Sequence, residues 1–188
     1  MPLDPNGAGP LHSYALVAYI PDPLGEFLDD LRKDLVPGCT PNSHVTVLPP
    51  RLLTTQPPAA VEYLRPLLAR CAPFDVQMGD VEVFPVSDVI YIGVAKGGPE
   101  LHRMHNALNC GVVEFTTIFP FHPHITIAQE LAPGTVDGLR ARAQGQWAAF
   151  PHPRSFRVDR VWFVRNTGGC QWEDLEQFQL AGDPPAGR

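Results

Sequence analysis

Two short segments of this chain repeat one pattern, and that pattern dictates how each can fold. Ser43-His44-Val45-Thr46-Val47-Leu48 and Pro123-His124-Ile125-Thr126-Ile127-Ala128 both read histidine, apolar, threonine, apolar, with the two histidines 80 positions apart. Side chains alternate across a β-strand, so residues i and i+2 share a face. His44 and Thr46 therefore point one way while Val45 and Val47 enter a core. His124 and Thr126 repeat this against Ile125 and Ile127. With a rise of ~3.3 Å per residue, imidazole and hydroxyl stand roughly 6–7 Å apart on one face and can move a proton and hold an oxyanion together. Two such units facing each other supply a general base, a general acid and two hydroxyl donors, which is the equipment for making or breaking a phosphodiester without a metal.

Around these segments the chain alternates strand and helix patterns. The run 13–20 reads as a buried strand stopped by Pro21-Asp22-Pro23, and Leu24, Phe27, Leu28, Leu31 and Leu35 then recur at helical spacing. The first motif strand closes at Pro49-Pro50, a helix follows over 57–71, two antiparallel strands cover 74–84 and 89–95, and a third helix ends at Leu108. The stretch from Cys110 to Phe121 is irregular and takes the place of a lid or specificity loop before the second motif strand. A weaker helix over 135–147 precedes two closing strands, 154–165 and 171–180, joined as a hairpin around Asn166-Thr167-Gly168-Gly169. Short helices against antiparallel strands indicate an α+β protein, and the repeated motif strand, each copy followed by a helix, points to internal pseudo-duplication. The expected organisation is a flexible leader over 1–12, one bilobal domain over 13–180 and a flexible tail over 181–188.

Composition narrows the class. Four dispersed cysteines (Cys39, Cys71, Cys110 and Cys170) form no Cys-x-x-Cys pair and read as reduced structural thiols. No run approaches the length of a membrane span, and Met1 to Gly7 lacks the basic and apolar regions of a signal peptide, so the expected location is cytoplasmic. A formal charge of −6 argues against broad binding to long nucleic acid. Between Gly138 and Cys170, however, six arginines (140, 142, 154, 157, 160 and 165) face a single acid, Asp159, and that stretch is a candidate local anion site.

The motif pair, its separation and the order of elements resemble the two-histidine (2H) phosphoesterase superfamily, and within it the bacterial 2′,5′ RNA ligase-like (LigT-like) proteins. The residues carrying the resemblance are Tyr14-Ala15-Leu16-Val17, His44-Val45-Thr46-Val47 and Phe121-His122-Pro123-His124-Ile125-Thr126-Ile127-Ala128. The resemblance implies two pseudo-symmetric lobes of antiparallel sheet with outer helices around a central cleft. It implies that His44 and His124 are the acid–base pair and that Thr46 and Thr126 hold the phosphate oxygens. Family precedent often makes the first histidine the acid and the second the base when a cyclic phosphate is opened.

Other candidates are secondary. His122 shares a strand face with His124, which makes half a metal site at most. Ligation needs a third or fourth ligand and acids near these strands are scarce, so no metal or other cofactor is expected and His122 reads as a rim residue. Phe84, Tyr91, Phe121, Trp162 and Phe163 are aromatics that could stack on a base. Phe121 is preferred for its proximity to the second motif, and Tyr14 is a weaker candidate for lining the cleft. His102, His105 and His152 read as structural or exposed. The expected function is a metal-independent phosphodiesterase that opens 2′,3′-cyclic phosphates on small RNA ends or nucleotides to 2′-phosphomonoesters. The alternatives are a 2′,5′ RNA ligase or 2′,5′-phosphodiesterase using the same site, and a non-catalytic nucleotide- or RNA-end-binding protein. No membrane and no obligate protein partner is expected.

Overall fold

Both motif segments are edge strands, one in each of two four-stranded antiparallel sheets. In the computed structural model, which describes residues 13–38, 42–168 and 171–182, the order is β1 (Tyr14–Tyr19), α1 (Leu24–Leu35), β2 (His44–Arg51), α2 (Pro57–Leu68), β3 (Phe74–Val83), β4 (Ile90–Lys96), α3 (Gly98–Leu108), β5 (His124–Ala128), α4 (Val136–Ala149), β6 (Ser155–Val158), β7 (Arg160–Gly168) and β8 (Gln171–Gln179). One sheet runs β2-β1-β7-β8 and the other β5-β4-β3-β6. The connectivity β1-α1-β2-α2 is repeated as β4-α3-β5-α4, with each motif strand antiparallel to the strand before it. The expected α+β fold of two related halves is therefore present. The expected leader over 1–12 and most of the tail, 183–188, lie outside the described residues, as do Cys39 and Cys170. Cys71 and Cys110 are free thiols.

Burial follows the alternation read from the sequence. Val45, Val47, Ile125 and Ile127 are at most 1% exposed, whereas His44, Thr46, His124 and Thr126 are half-buried on the opposite face. The helices then cross between sheets. Helix α1, with Leu24, Leu28, Leu31 and Leu35 on its buried stripe, leaves the first sheet and packs against β5 and α4. Helix α3 leaves the second sheet and packs against β2 and α2. One hydrophobic core consequently runs under both sheets. Apolar surface removed from water stabilises by about 25 cal/mol per Å², so the crossing ties the halves together through the largest favourable contribution to folding.

Beyond shifts of one or two residues at several ends, three departures from the sequence expectation have a physical reason. Strand β2 continues through Pro49 and Pro50 to Arg51, because an edge strand tolerates prolines whose missing N–H faces away from its one partner. Helix α2 ends at Leu68 rather than at residue 71. Pro66 lies inside it, and the chain leaves through tighter i→i−3 bonds from Arg70 N to Leu67 O and Cys71 N to Leu68 O. The expected strand 154–165 is two strands in different sheets: β6 pairs with β3 and β7 with β1 and β8. Asp159 sits at the switch, with its carbonyl accepting from Leu180 N at 2.8 Å and from Gln179 Nε2 at 2.9 Å.

Among the described residues no helix is long and apolar enough to cross a membrane. Ile125 is fully buried on β5, so Ile125→Ala should destabilise by about 2–5 kcal/mol, seen as a lower urea midpoint. Removing the exposed Arg157–Asp75 pair with Arg157→Ala should cost no more than ~1 kcal/mol.

Candidate active site

His44 begins β2 and His124 begins β5, and the two strands lie side by side where the sheets meet. Each imidazole is fixed in the same way. Nδ1 of His44 donates to Asn42 O at 2.7 Å, and Nδ1 of His124 donates to His122 O at 2.7 Å. A carbonyl oxygen can only accept, so Nδ1 carries the hydrogen and the neutral ring keeps its lone pair on Nε2. His44, Thr46, His124 and Thr126 all line a single cleft of about 1900 Å³. Asp29 on α1 braces the start of the first motif by accepting from Ser43 N at 2.7 Å and from Ser43 Oγ at 2.6 Å.

Burial pushes the His44 imidazolium down to about 4, and the Arg32 guanidinium and His124 act in the same direction. The hydrogen bond to Asn42 opposes them. Burial also lowers His124, by a smaller amount, with His122 adding to the effect. The neutral forms of both imidazoles are therefore favoured in the free site.

Arg32 is a site residue that the sequence reading missed. It is 7% exposed, lines the cleft, and donates from Nη1 to Thr126 O at 2.8 Å. The signal was present: Arg32 stands four residues after Leu28 and beside Leu31, inside the buried arc of α1. The expected arginine-rich stretch supplies no anion site to the cleft. Arg142, Arg157, Arg160 and Arg165 are paired with Asp34, Asp75, Asp159 and Glu173, and Arg154 lies over the Trp147 ring. Arg140 lines a separate small pocket beside α4. Among the described residues Arg32 is the one lysine or arginine lining the cleft.

The aromatic candidates divide. Phe121 and Phe84 line the cleft. Phe121 has one ring face covered by His105, 3.9 Å away and 6° from parallel. His122 is exposed at the rim, edge-on to Phe84. Tyr91 and Phe163 are buried, and Tyr14 stacks on Phe163 and does not line the cleft. Trp162 packs against Tyr19, with ring centroids 4.9 Å apart, and does not line the cleft. The irregular stretch after α3 forms one wall through Phe115–His122. It is held by buried Arg51, which donates to Asn109 Oδ1 at 2.5 Å and to Val113 O at 2.7 Å. Among the described residues no group of three or more His, Cys, Asp or Glu is gathered where it could hold a metal ion.

A family model described as the 2′-5′ RNA ligase superfamily matches residues 20–169. A protein of Geobacillus kaustophilus provisionally named a phosphoesterase is 25% identical over 178 residues, covering 90% of this chain and 96% of the relative. A similarly named protein of Bacillus cytotoxicus is 33% identical over 146 residues, covering 73% of this chain and 82% of the relative. Among solved structures, Thermus thermophilus TT0787 aligns with a TM-score of 0.65 at 20% identity, covering 92% of this chain and all of that one. E. coli LigT complexed with 3′-AMP aligns with a TM-score of 0.62 at 18% identity, covering 91% and 99%. These alignments establish a shared fold. LigT has also been solved with phosphate, NADP+ and ATP.

The depressed His44 value has a stability consequence. An unfolded histidine takes up its proton near pH ~6.5, whereas folded His44 does so only at about 4. Between these values the unfolded chain binds more protons, so this contribution to stability is complete above the unfolded value and is lost as pH falls towards the folded one. Urea midpoints measured across that window should fall less steeply for His44→Gln than for the wild type.

Proposed function

The chain belongs to the 2′-5′ RNA ligase superfamily, and from that premise we propose that it is a phosphoesterase that opens 2′,3′-cyclic phosphates on nucleotides or small RNA ends to 2′-phosphomonoesters. The observation that carries this reading is the pair of strand-borne imidazoles in one cleft. Each has Nδ1 tied to a carbonyl and Nε2 free, and each has a threonine two residues on along the same face.

In this reaction a water oxygen attacks phosphorus while one neutral imidazole takes the water proton on Nε2. The bond to the ribose 3′ oxygen breaks, and that oxygen receives a proton from the second histidine as imidazolium. Thr46 and Thr126 donate to the non-bridging oxygens, where negative charge builds up. Arg32 adds a fixed positive charge beside the same position. Burial lowers the proton affinity of both imidazoles in the free site, so the pair titrates as a unit and the direction in which the cyclic phosphate is seated decides which histidine is base and which is acid. No step in this scheme calls for a cofactor. A second reading, favoured by the description of the matching family, uses the same groups to form or cleave a 2′,5′ linkage, with a ribose hydroxyl in place of water.

Turnover of an oligonucleotide ending in a 2′,3′-cyclic phosphate, measured in EDTA, should yield a 2′-phosphate. His44→Ala and His124→Ala should each lower the rate by about 10²–10⁴. Undiminished turnover in either folded variant would sink the paired-histidine mechanism, and tight binding without turnover in the wild type would leave a binding protein. With both imidazoles depressed, the bell of kcat/KM against pH should peak below about 6.5. A bound phosphate anion raises imidazole proton affinity, so the bell of kcat should lie at higher pH.

A further inference from the structure

On the first sheet the cleft wall carries a small apolar cluster of its own, separate from the main core: Ala15, Val17 and Val164, with Tyr19, Trp162 and Trp172 packed around it. The wall begins next to the catalytic candidates, because Tyr19 is the cross-strand partner of His44 and its ring stands edge-on to the imidazole at 6.3 Å. On β8, Trp172 and Asp174 are two residues apart and share a face. Their cross-strand partners on β7 are Asn166 and Val164. Both Trp172 and Asp174 line the cleft, and Asp174 is exposed there. Its Oδ1 accepts from the Tyr19 hydroxyl at 2.5 Å, which sets the direction of the carboxylate, and among the described residues it forms no ion pair. An oriented acceptor-only group thus stands on an aromatic wall, one tyrosine away from the phosphate position.

We propose that Trp172, Tyr19 and Asp174 form a nucleobase subsite selective for guanine. The proposal rests on the phosphoesterase reading of the same cleft and specifies which substrate it prefers. A carboxylate can accept two N–H donors but can donate none. Guanine presents two adjacent donors, N1–H and the N2 amino group, on its Watson–Crick edge, so both can reach one carboxylate. Adenine and cytosine each place an acceptor nitrogen beside their amino group, and uracil flanks its single N–H with two carbonyls, so each brings a lone pair against the Asp174 oxygens. The aromatic wall adds stacking that any base can use, and a purine more than a pyrimidine. Selectivity therefore belongs to Asp174 and general base affinity to Trp172. Sites built to hydrogen-bond a substrate N–H reject analogues that lack it more strongly than apolar pockets reject a change of size.

The test pairs binding with turnover. Kd values for guanosine, adenosine, cytidine and uridine 2′-monophosphates would be measured by calorimetry, and kcat/KM for the four nucleoside 2′,3′-cyclic phosphates. Both would be taken for the wild type, Asp174→Asn and Trp172→Ala, each checked for folding by its thermal transition. Guanosine ligands should be preferred by about tenfold or more. Asp174→Asn should bring the four bases within about threefold, while Trp172→Ala should weaken both purines and keep guanosine ahead of adenosine. Equal affinity for all four bases in the wild type, or a guanosine preference that survives Asp174→Asn, would overturn the subsite even with turnover intact. Guanosine-selective binding without turnover of any cyclic phosphate would uphold the subsite and remove the proposed reaction instead.

Discussion

Arg32 on α1 and His105 on α3 each hold a backbone carbonyl on the motif strand of the other sheet. Arg32 Nη1 donates to Thr126 O on β5 at 2.8 Å, and His105 Nδ1 donates to Val47 O on β2 at 2.8 Å. Both strands are sheet edges, and an edge strand leaves backbone groups in need of partners. Here those partners come from the crossing helices, which fix the two edges beside each other. Without that exchange the two imidazoles would belong to separate sheets with no fixed distance between them. Arg32 combines two tasks in one group. The guanidinium that satisfies Thr126 O also lies close enough to His44 to depress its proton affinity.

The near-twofold arrangement is closer in backbone than in side chains, and the differences assign distinct work to the halves. Opposite His44 stands Tyr19, whereas opposite His124 stands Gly93. A Cβ at Gly93 would meet Glu82 Oε1 at 2.8 Å, so the glycine admits that carboxylate beside the second motif. Each half also has a tyrosine bonded to an acid: Tyr19 to Asp174 at 2.5 Å and Tyr91 to Glu82 at 3.0 Å. In the second half Phe84 stacks on Tyr91 at 4.0 Å and His122 leans against both, which covers the ring. In the first half Tyr19, Trp172 and Asp174 remain open to the cleft. The symmetry gathers two equivalent imidazoles, and its local failure leaves one wall of the cleft open.

Period-two and helical spacing carried most of the fold. Val45, Val47, Ile125 and Ile127 announced the core face of both motif strands, and Leu24, Leu28, Leu31 and Leu35 that of α1. Local pattern failed where partners are distant in the chain. Nothing between Arg154 and Arg165 reveals that the backbone changes sheet at Asp159, since each piece has a strand pattern and their partners, β3 and β1, lie far upstream. The arginine run misled for the same reason, because its acids come from elsewhere, such as Asp34 on α1 and Asp75 on β3. Tyr19, Trp172 and Asp174 stayed hidden because cross-strand register alone brings them to the first motif, and the place of Arg32 in the buried arc of α1 did not reveal which strand the helix would cross.

The electrostatic character of the cleft limits how a ligand can be held. With Arg32 the one lysine or arginine lining it among the described residues, and with a formal charge of −6 on the chain, counterion release from many phosphates cannot supply the affinity. One anionic group at the histidine pair would meet the Arg32 guanidinium as counter-charge, with the two threonine hydroxyls as hydrogen-bond donors. Beyond that group the cleft is lined by aromatic and aliphatic side chains, by neutral polar ones such as Asn42, Thr117 and Gln129, and by two acids, Asp174 and Glu130. Each further phosphate would face those acids with no second lysine or arginine lining the cleft among the described residues. A volume of about 1900 Å³ nonetheless exceeds what a single small molecule needs, the usual range being about 300–1,000 Å³. On the proposed reaction, that remaining space would take base and ribose around one phosphate, and binding would rest on stacking and hydrogen bonds more than on charge.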